Sequence, residues 1–286
     1  MNLLYFIVGN SAVHYSQCYF SILSFLRYGN VEGIYIYTDA PQYFNRISDR
    51  TTLVELTKEQ VEEWRGKYDF FWRIKIKVIE DLARKTSVPL AYLDTDTFLY
   101  QHSDRFLSDL SAGKAYMHLD EGALSGMKHT PFKMWKQTKG KTFGGITINE
   151  SMHMWNAGLI AIPVSKRMEC ISLALNVCDD MCKANVTPRL IEQYALSVAL
   201  NHYYELKPAD SFVGHYWGNK PDWNVVIDDF LINQYLKNHS LEQSVQDFES
   251  VALQAIPIYK HVSSKKPFFD NLLSKLLVKK KRFIKQ

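Results

Sequence analysis

Two apolar runs separated by a helical pattern open this chain and restrict its architecture. Leu3 to Val8 has the length and composition of a buried strand, and Gly33 to Thr38 predicts a second strand. Between them, apolar residues recur at helical spacing until Gly29, which predicts a helix that ends there. A strand, a helix and a strand within about 35 residues indicate a βαβ unit. We therefore expect an α/β fold in which these two strands are parallel neighbours.

The carboxyl ends of these two strands carry residues suited to a nucleotide. Val8-Gly9 and Thr38-Asp39 fall at adjacent strand ends, where open α/β sheets bind ligands. The sequence contains neither a G-x-G-x-x-G motif nor a Walker P-loop. Neither a dinucleotide-binding fold nor a P-loop kinase is therefore indicated.

A third buried strand, Leu90 to Leu93, ends in Asp94-Thr95-Asp96. Two carboxylates at the end of a buried strand are costly to desolvate unless a cation or hydrogen-bond donors neutralise them. A hard divalent ion takes oxygen ligands and usually fills its remaining positions with substrate phosphates. The pattern predicts an Asp-x-Asp metal site that presents a nucleotide diphosphate. The alternative is an ordinary turn with two solvated, capping aspartates.

The middle of the chain alternates between helical and strand patterns. Thr57 to Gln60 is typical of a capping box, and a strand from Ala115 to Leu119 ends at Asp120-Glu121-Gly122. Leu124 to Ile148 is rich in Lys, Thr and Gly, and we interpret it as a mobile loop over a cleft. Thr187-Pro188 predicts the start of a helix, with Thr as N-cap and Pro at the first position, that carries Glu192-Gln193 in its second turn. A further helix is expected from Asp228 to about Leu253.

Composition and cysteine usage bound the class of protein. The 286 residues are 47% hydrophobic and 22% charged, which suits one large domain or two small ones. The four cysteines show no disulfide framework, so we expect a reducing, cytoplasmic compartment. The amino terminus lacks a basic region, and no apolar run approaches the roughly 18 residues of a membrane span.

The net charge of +4 is unevenly distributed. Residues 260–286 contain nine Lys or Arg and one Asp, a net +8, which leaves −4 for the rest. Over 268–286 the apolar residues form rows four apart, with the basic residues opposite, which predicts a basic amphipathic helix. We expect residues 265–286 to bind an anionic membrane surface. Docking onto the domain and a nucleic-acid patch are the alternatives, although basic residues confined to one terminal helix argue against nucleic acid.

Four segments together resemble a known family. They are Thr38-Asp39-Ala40-Pro41, Tyr92-Leu93-Asp94-Thr95-Asp96, Trp155-Asn156-Ala157-Gly158-Leu159 and His215-Tyr216-Trp217-Gly218-Asn219-Lys220. In this order the chain resembles nucleotide-sugar glycosyltransferases of the GT-A fold, most closely the retaining family 8, which includes bacterial lipopolysaccharide glycosyltransferases and glycogenin. The resemblance implies an α/β, Rossmann-like fold with a mixed, mostly parallel sheet flanked by helices and a C-terminal helical extension. The resemblance covers about residues 1–225, which we expect to be the catalytic domain, and the patterns described above add a helical subdomain at 226–262 and a membrane-association tail at 263–286.

The resemblance also implies residue roles. Asp94, Asp96 and His215 would bind Mn²⁺, or Mg²⁺, and mixed carboxylate and imidazole ligation suits Mn²⁺ better. Lys220 would contact the diphosphate, and Gly218 would let the backbone approach it. The expected contacts to the rest of the nucleotide-sugar are Val8, Gly9, Tyr15, Thr38, Asp39, Lys75, Thr95, Asn156, Ala157 and Gly158.

Glu192-Gln193 stands where family 8 usually has Asp-Gln beside the anomeric carbon, and the glutamate is a departure from that pattern. In a retaining reaction the leaving phosphate takes the acceptor proton, and Gln193 or Glu192 would stabilise the oxocarbenium-like centre. An inverting reaction needs a general base, for which Glu192, Asp120 and Glu121 are candidates.

The expected function is a metal-dependent glycosyltransferase at the cytoplasmic face of the membrane. It would move a hexose from a UDP-sugar to a cell-surface glycan acceptor such as lipopolysaccharide, O-antigen or capsule. A phosphohydrolase of the haloacid dehalogenase type would need Thr or Val where Phe98 stands, and a nucleotidyltransferase would need a Gly-rich basic loop that Gly9-Asn10-Ser11 is not. A non-catalytic sugar-nucleotide-binding protein is a further alternative.

Overall fold

The computed structural model of this chain describes residues 1–260, 281, 282 and 284. These residues form two compact units that are each built from several segments of the chain. The first unit contains Met1–Asn10, Asn30–Thr95 and Ser103–Ser211. The second contains Ser11–Gly29, Asp96–His102 and the described residues from Phe212 onward. The predicted ends of the catalytic domain, at 225, and of the helical subdomain, at 262, rest on the expected functions of these segments and stay predictions.

Helices and strands alternate along most of the chain. The strands are β1 (Asn2–Ile7), β2 (Gly33–Thr38), β3 (Thr52–Glu55), β4 (Leu90–Leu93), β5 (Thr97–Leu99), β6 (Ala115–Ala123), β7 (Thr142–Phe143), β8 (Ile146–Thr147), β9 (His153–Ile162), β10 (Leu206–Pro208), β11 (Val213–His215), β12 (Tyr259–Lys260) and β13 (Lys281–Arg282). The α-helices are α1 (Ala12–Tyr28), α2 (Lys58–Arg65), α3 (Arg73–Lys85), α4 (Asp104–Ser111), α5 (His129–Thr138), α6 (Arg167–Lys183), α7 (Ile191–Tyr203), α8 (Lys220–Leu236) and α9 (Leu241–Asp247).

A seven-stranded sheet in the order β10-β6-β9-β4-β1-β2-β3 forms the first unit. Neighbours are parallel except where β9 pairs antiparallel with both β4 and β6. The predicted α/β class, with a mixed and mostly parallel sheet flanked by helices, is confirmed. Parallel strands are covered on both faces and therefore read as continuous apolar runs, and all four residues of β4 are buried.

Local signals in the sequence account for several helix ends. Thr57 and Gln60 form the predicted capping box at the start of α2, with each side chain bonded to the other residue's backbone N–H. Gly29 is the C-cap of α1, as expected. The predicted start of the helix at Thr187-Pro188 is wrong, because Pro188–Leu190 is a separate 3₁₀ turn and α7 begins at Ile191.

The predicted mobile loop from Leu124 to Ile148 is also wrong. It contains helix α5, which buries Met134 and Trp135, and the hairpin of β7 and β8. Gly144 and Gly145 at the hairpin turn both have positive φ, at 55° and 85°. Such a Gly-Gly pair suits a two-residue hairpin turn, because glycine adopts the left-handed region without steric cost.

The second unit has an aromatic core around α1 and α8. Phe20 on α1 packs against Phe98 of β5 and against Phe230 and Phe248, with ring centroids 4.9 to 6.2 Å apart. β5 pairs antiparallel with β11. The helix expected from Asp228 to Leu253 instead starts at Lys220 and stops at Leu236. It ends because Asn238 has a φ of 51°, a conformation typical of helix C-termini.

Most of the predicted tail helix, 268–286, lies outside the described residues. The prediction is wrong for Lys281 and Arg282, because these residues form β13, which pairs with Tyr259–Lys260. Ile284 is buried in the core of the second unit. Among the described residues, each helix is too short or too polar to cross a bilayer.

Candidate functional site

The carboxyl ends of β1 and β2 meet as the sequence predicts. Ile7 pairs with Thr38 in parallel register. Just beyond them, the Gly9 N–H donates to both carboxylate oxygens of Asp39, at 3.0 and 3.1 Å. Gly9 has a φ of 96°, which glycine adopts readily. Val8, Gly9, Thr38 and Asp39 therefore share one edge of the first unit's sheet.

A buried lysine on α3 bridges two carboxylates of the first unit. Lys75 Nζ lies 3.1 Å from Asp94 Oδ1 and 2.9 Å from Glu192 Oε1, and it sits 5.1 Å from the centroid of the Tyr92 ring. Burial alone would lower the pKa of Lys75, but Asp94 and Glu192 outweigh it and hold that pKa well above its ordinary value. Lys75 therefore carries its charge, and its ammonium is directed at carboxylates and not presented as an isolated phosphate ligand.

The position of Glu192 on its helix differs from the expectation. Because α7 begins at Ile191, Glu192 and Gln193 lie in its first turn and not in its second. Glu192 is 6% exposed, and its carboxylate complements both the helix macrodipole and Lys75. Glu192 thus forms a buried ion pair with Lys75.

Three side chains of the first unit, Glu121, Asn156 and Gln193, form a cluster that we call the amide cluster. Glu121 accepts from Asn156 Nδ2 at 3.1 Å with one oxygen and from Gln193 Nε2 at 3.1 Å with the other. The amide oxygens face the β9 backbone, since Asn156 Oδ1 accepts from the Gly158 N–H at 3.0 Å and Gln193 Oε1 accepts from the Ala157 N–H at 3.5 Å. The predicted sugar contacts on β9 and Gln193 are therefore brought together, with Glu121 between them.

A β-bulge explains how Glu121 reaches this cluster. In the pairing of β6 with β9, Asp120 lies opposite Trp155 and Gly122 lies opposite Met154. Two steps along β6 thus match one step along β9, so that Glu121 is the extra residue. A bulge changes the alternation of side chains along a strand and often re-aims a side chain at a functional site.

Asp120 lies elsewhere. Its carboxylate bonds His153 Nδ1, at 2.9 and 2.8 Å from its two oxygens, and one oxygen accepts from the Gly122 N–H. Asp120 thus pairs with His153, whereas its neighbour Glu121 joins the amide cluster. The predicted catalytic role of Asp120 stays a prediction.

In the second unit, a buried carboxylate lies between two basic side chains. The pairing of β5 with β11 sets Thr97 opposite His215. Asp96 Oδ1 lies 3.4 Å from His215 Nε2, and Asp96 Oδ2 lies 2.9 Å from Lys220 Nζ. Burial alone would raise the pKa of Asp96, but His215 and Lys220 outweigh it and hold that pKa well below its ordinary value. Asp96 is thus an ionised, buried carboxylate.

Two hydrogen bonds to the Pro257 carbonyl hold the chain between His215 and the start of α8. Asn219 Nδ2 and Trp223 Nε1 both donate to the Pro257 carbonyl, at 2.7 and 3.1 Å. These bonds hold the start of α8, and with it Lys220 and the half-buried Gly218. Tyr15, predicted as a nucleotide contact, is buried on α1 of this unit.

Sequence reasoning missed one histidine near this carboxylate. His14 lies in the first turn of α1, and burial together with the charge of Lys220 lowers the pKa of His14, against the opposing effect of Asp96. No motif in the sequence marks it, because its relation to Asp96 arises from the packing of α1 within the second unit.

The residues suited to a metal ion follow from these contacts. Thr95 alone separates Asp94 from Asp96 along the chain, and His215 lies beside Asp96. Asp96 and His215, both in the second unit, are possible metal ligands, and so is Asp94, two residues before Asp96 in the sequence. Two carboxylates and one imidazole offer oxygen and nitrogen donors, which suit Mn²⁺ and related divalent ions, and the ionised state of Asp96 meets the requirement that a ligand be deprotonated.

Comparisons with known proteins assign no family to this chain. No protein-family model matches it, and no curated protein matches it.

Proposed function

We propose that this protein is a metal-dependent glycosyltransferase of the GT-A type that moves a hexose from a nucleotide-sugar, with UDP-sugar as the donor, to a glycan acceptor. The observation that carries the proposal is the buried Asp96 carboxylate, which lies between His215 and Lys220 and directly follows Asp94-Thr95. A buried carboxylate with two basic neighbours is a costly arrangement, and perturbed groups of this kind cluster at functional sites.

Asp94, Asp96 and His215 would hold Mn²⁺, or Mg²⁺. When bound, the ion would stabilise the negative charge that develops on the leaving diphosphate. Lys220 contributes to the same stabilisation, since its side chain is 39% exposed and a lysine stem is flexible enough to bring the ammonium to a phosphate oxygen.

The sheet edge of the first unit supplies the nucleotide contacts. Asp39 is a carboxylate at the end of β2 and is oriented by the Gly9 N–H. A carboxylate in this place accepts hydrogen bonds from ribose hydroxyl groups. Val8 and Thr38 border the same edge, where the base would lie.

The amide cluster binds the donor sugar in this proposal. The amide oxygens of Asn156 and Gln193 face the β9 backbone and their nitrogens face Glu121. Amide N–H groups are hydrogen-bond donors of the kind that a sugar hydroxyl oxygen accepts from. Because both amides are held at both ends, they are preorganised, which reduces the entropic cost of binding.

Retention of configuration fits these contacts better than inversion. An inverting enzyme needs a general base beside the acceptor hydroxyl. Each of the three candidate carboxylates already has partners. Glu192 is paired with Lys75, Asp120 is paired with His153, and Glu121 accepts from both amides of the amide cluster. In a retaining reaction the leaving phosphate takes the proton, and Gln193 supplies an amide at the sugar.

The acceptor in this proposal is a cell-surface glycan or glycolipid. Residues 265–286 bring the enzyme close to this acceptor by binding the inner face of an anionic membrane.

The test is release of free nucleotide from a panel of UDP-, GDP-, CMP- and dTDP-sugars, with and without Mn²⁺. We expect slow, Mn²⁺-dependent hydrolysis of one donor, which would also identify the sugar. If no donor is hydrolysed but UDP binds in calorimetry with Mn²⁺, the alternative of a non-catalytic sugar-nucleotide-binding protein is favoured. The absence of both turnover and nucleotide binding would contradict the proposal.

A further inference from the structure

A cavity of 240 Å³ opens in the first unit next to the amide cluster. Ser197, one helical turn beyond Gln193 on α7, lines it, as does His153, three residues before Asn156 on β9. Ser197 Oγ donates to the Gln193 carbonyl at 2.7 Å and accepts from the Trp155 N–H at 3.0 Å. Ser197 in the cavity wall is therefore hydrogen-bonded to the backbone of Gln193, a member of the amide cluster, and of Trp155, the neighbour of Asn156.

The lining of the cavity combines polar groups with apolar ones. Ser151, His153, Asn201 and His202 provide hydrogen-bonding groups, whereas Met152 and Val198 provide apolar surface. The described residues that line it include no Lys, Arg, Asp or Glu. A phosphate or a free cation would find no counter-charge in that lining. A neutral sugar ring, which has both hydroxyl groups and apolar C–H faces, matches it.

The volume points to the same class of ligand. Pockets for drug-sized molecules measure about 300–1,000 Å³, so a cavity of 240 Å³ suits a single ring and not a whole nucleotide-sugar. Asn201 and His202 are exposed, so the cavity is accessible from solvent, and a ring can enter while the rest of a longer glycan stays outside.

The hydrogen bond to Asp120 indicates which ring nitrogen of His153 carries a proton. Both oxygens of Asp120 lie within 2.9 Å of His153 Nδ1. An ionised carboxylate only accepts hydrogen bonds, so Nδ1 carries the proton and donates. In the neutral ring this leaves Nε2 as an acceptor, with its orientation fixed by Asp120.

We propose that this cavity binds one neutral sugar ring of the glycan acceptor and that His153 Nε2 accepts a hydrogen bond from a hydroxyl of that ring. The assignment of the ring to the acceptor depends on the proposed transferase function, because it places the acceptor beside the donor sugar held by the amide cluster. Asp120 is then a positioning residue for His153.

The first test uses saturation-transfer difference NMR with the full chain and a mixture of methyl glycosides of glucose, galactose, mannose and N-acetylglucosamine. We expect transfer to at least one glycoside. Asn201→Trp fills the mouth of the cavity from an exposed helical position and should abolish the transfer. Asn176→Trp is the matched control, because Asn176 is an exposed asparagine on α6 that does not line the cavity. It should leave the transfer unchanged.

The second test replaces His153 by alanine, with His102→Ala as the control histidine outside the cavity lining. Loss of one hydrogen bond should weaken glycoside binding by roughly fivefold, and His102→Ala should not. The proposal is overturned if the original protein binds no glycoside or if binding survives Asn201→Trp. Unchanged binding in His153→Ala would remove the role of His153.

Competition separates the possible sources of the ring. UDP-glucose added with Mn²⁺ should leave the glycoside signal in place if the cavity belongs to the acceptor, whereas displacement would show that the donor's sugar enters it and would overturn the assignment. If neither UDP nor UDP-glucose binds in calorimetry while Asn201→Trp still abolishes glycoside binding, the proposed function fails and the sugar-binding site stands.

Discussion

Lys75 Nζ lies 2.9 Å from Glu192 Oε1, and both side chains are almost completely buried. Lys75 also contacts Asp94, which is 29% exposed. The two ends of this buried ion pair are therefore not equivalent. Without Glu192 the lysine retains Asp94 as a partner, whereas without Lys75 the buried Glu192 carboxylate and Asp94 both lose its positive charge.

This asymmetry predicts different stabilities for two variants. Lys75→Met should lower the free energy of unfolding by about 3–5 kcal/mol, because it leaves buried charge uncompensated. Glu192→Gln should lower it less, since Asp94 still pairs with Lys75. Urea denaturation of both variants, and of the double variant, would measure the difference. Equal losses in the two single variants would contradict the bridging role of Lys75.

Glu121 and Asp120 are adjacent in sequence but face different partners, and this predicts different effects on turnover. Glu121→Gln replaces an oxygen acceptor with an amide N–H that faces the amides of Asn156 and Gln193, so it should disturb both and reduce kcat by roughly tenfold or more. Asp120→Asn should act mainly on acceptor KM. Steady-state kinetics with the identified donor would separate these effects. A greater loss of kcat in Asp120→Asn would argue against the amide cluster.

The bulge that carries Glu121 can be tested through its backbone. Gly122 has a φ of 92°, and a Cβ built there meets no atom within 4 Å. Gly122→Ala should therefore cost about 1–2 kcal/mol from backbone strain alone. Gly126 has equally open surroundings without a positive φ, so Gly126→Ala should be neutral or slightly stabilising. Thermal unfolding of the two variants would compare them, and equal stability would argue against strain at Gly122.

The proposed metal site predicts a stability effect that needs no activity assay. Mn²⁺ at about 100 times its dissociation constant should stabilise the folded protein by about 2.7 kcal/mol, which raises Tm by several degrees. Asp96→Asn should remove this shift. Asp229→Asn, at an exposed position of α8, should retain it. A full Mn²⁺ shift in Asp96→Asn would exclude Asp96 as a ligand.

The basic carboxyl-terminal segment predicts salt-sensitive membrane binding. Replacing Lys275, Lys279 and Lys280 by Gln should weaken binding to vesicles that contain phosphatidylserine, at about 1 kcal/mol for each lysine near the surface. The control carries the same change at Lys133, Lys136 and Lys139, which are exposed in or just after α5. Vesicle sedimentation would measure both. Equal binding by the two triple variants would refute the role of the tail.

The parts of the fold that sequence reasoning reached are those with short-range signals. The strands β1, β2 and β4 are continuous apolar runs, and Thr57 with Gln60 forms a local capping box. The hairpin of β7 and β8 carried a usable signal, since Gly144-Gly145 is flanked by Phe143 and Ile146. The many lysines around α5 obscured its apolar positions at Met134 and Trp135.

The parts that sequence reasoning missed depend on long-range pairing. The bulge at Glu121 exists only in the register of β6 against β9, so the sequence alone does not distinguish the positions of Asp120 and Glu121. The pairing of β5 with β11 joins three-residue strands more than 100 residues apart. Each strand is too short for its sequence pattern to predict which strand it pairs with. The cavity beside His153 likewise forms only after β9 and α7 pack together.

The segmented organisation of the two units limits how this protein can be divided. The chain passes from one unit to the other five times, at 10–11, 29–30, 95–96, 102–103 and 211–212. No single cleavage point therefore releases either unit whole. A truncated protein that ends at residue 225 would keep Phe20 but lose Phe230 and Phe248, two of the rings packed against it. Such a fragment would expose an aromatic surface and should aggregate, so functional dissection requires point substitutions in the full chain.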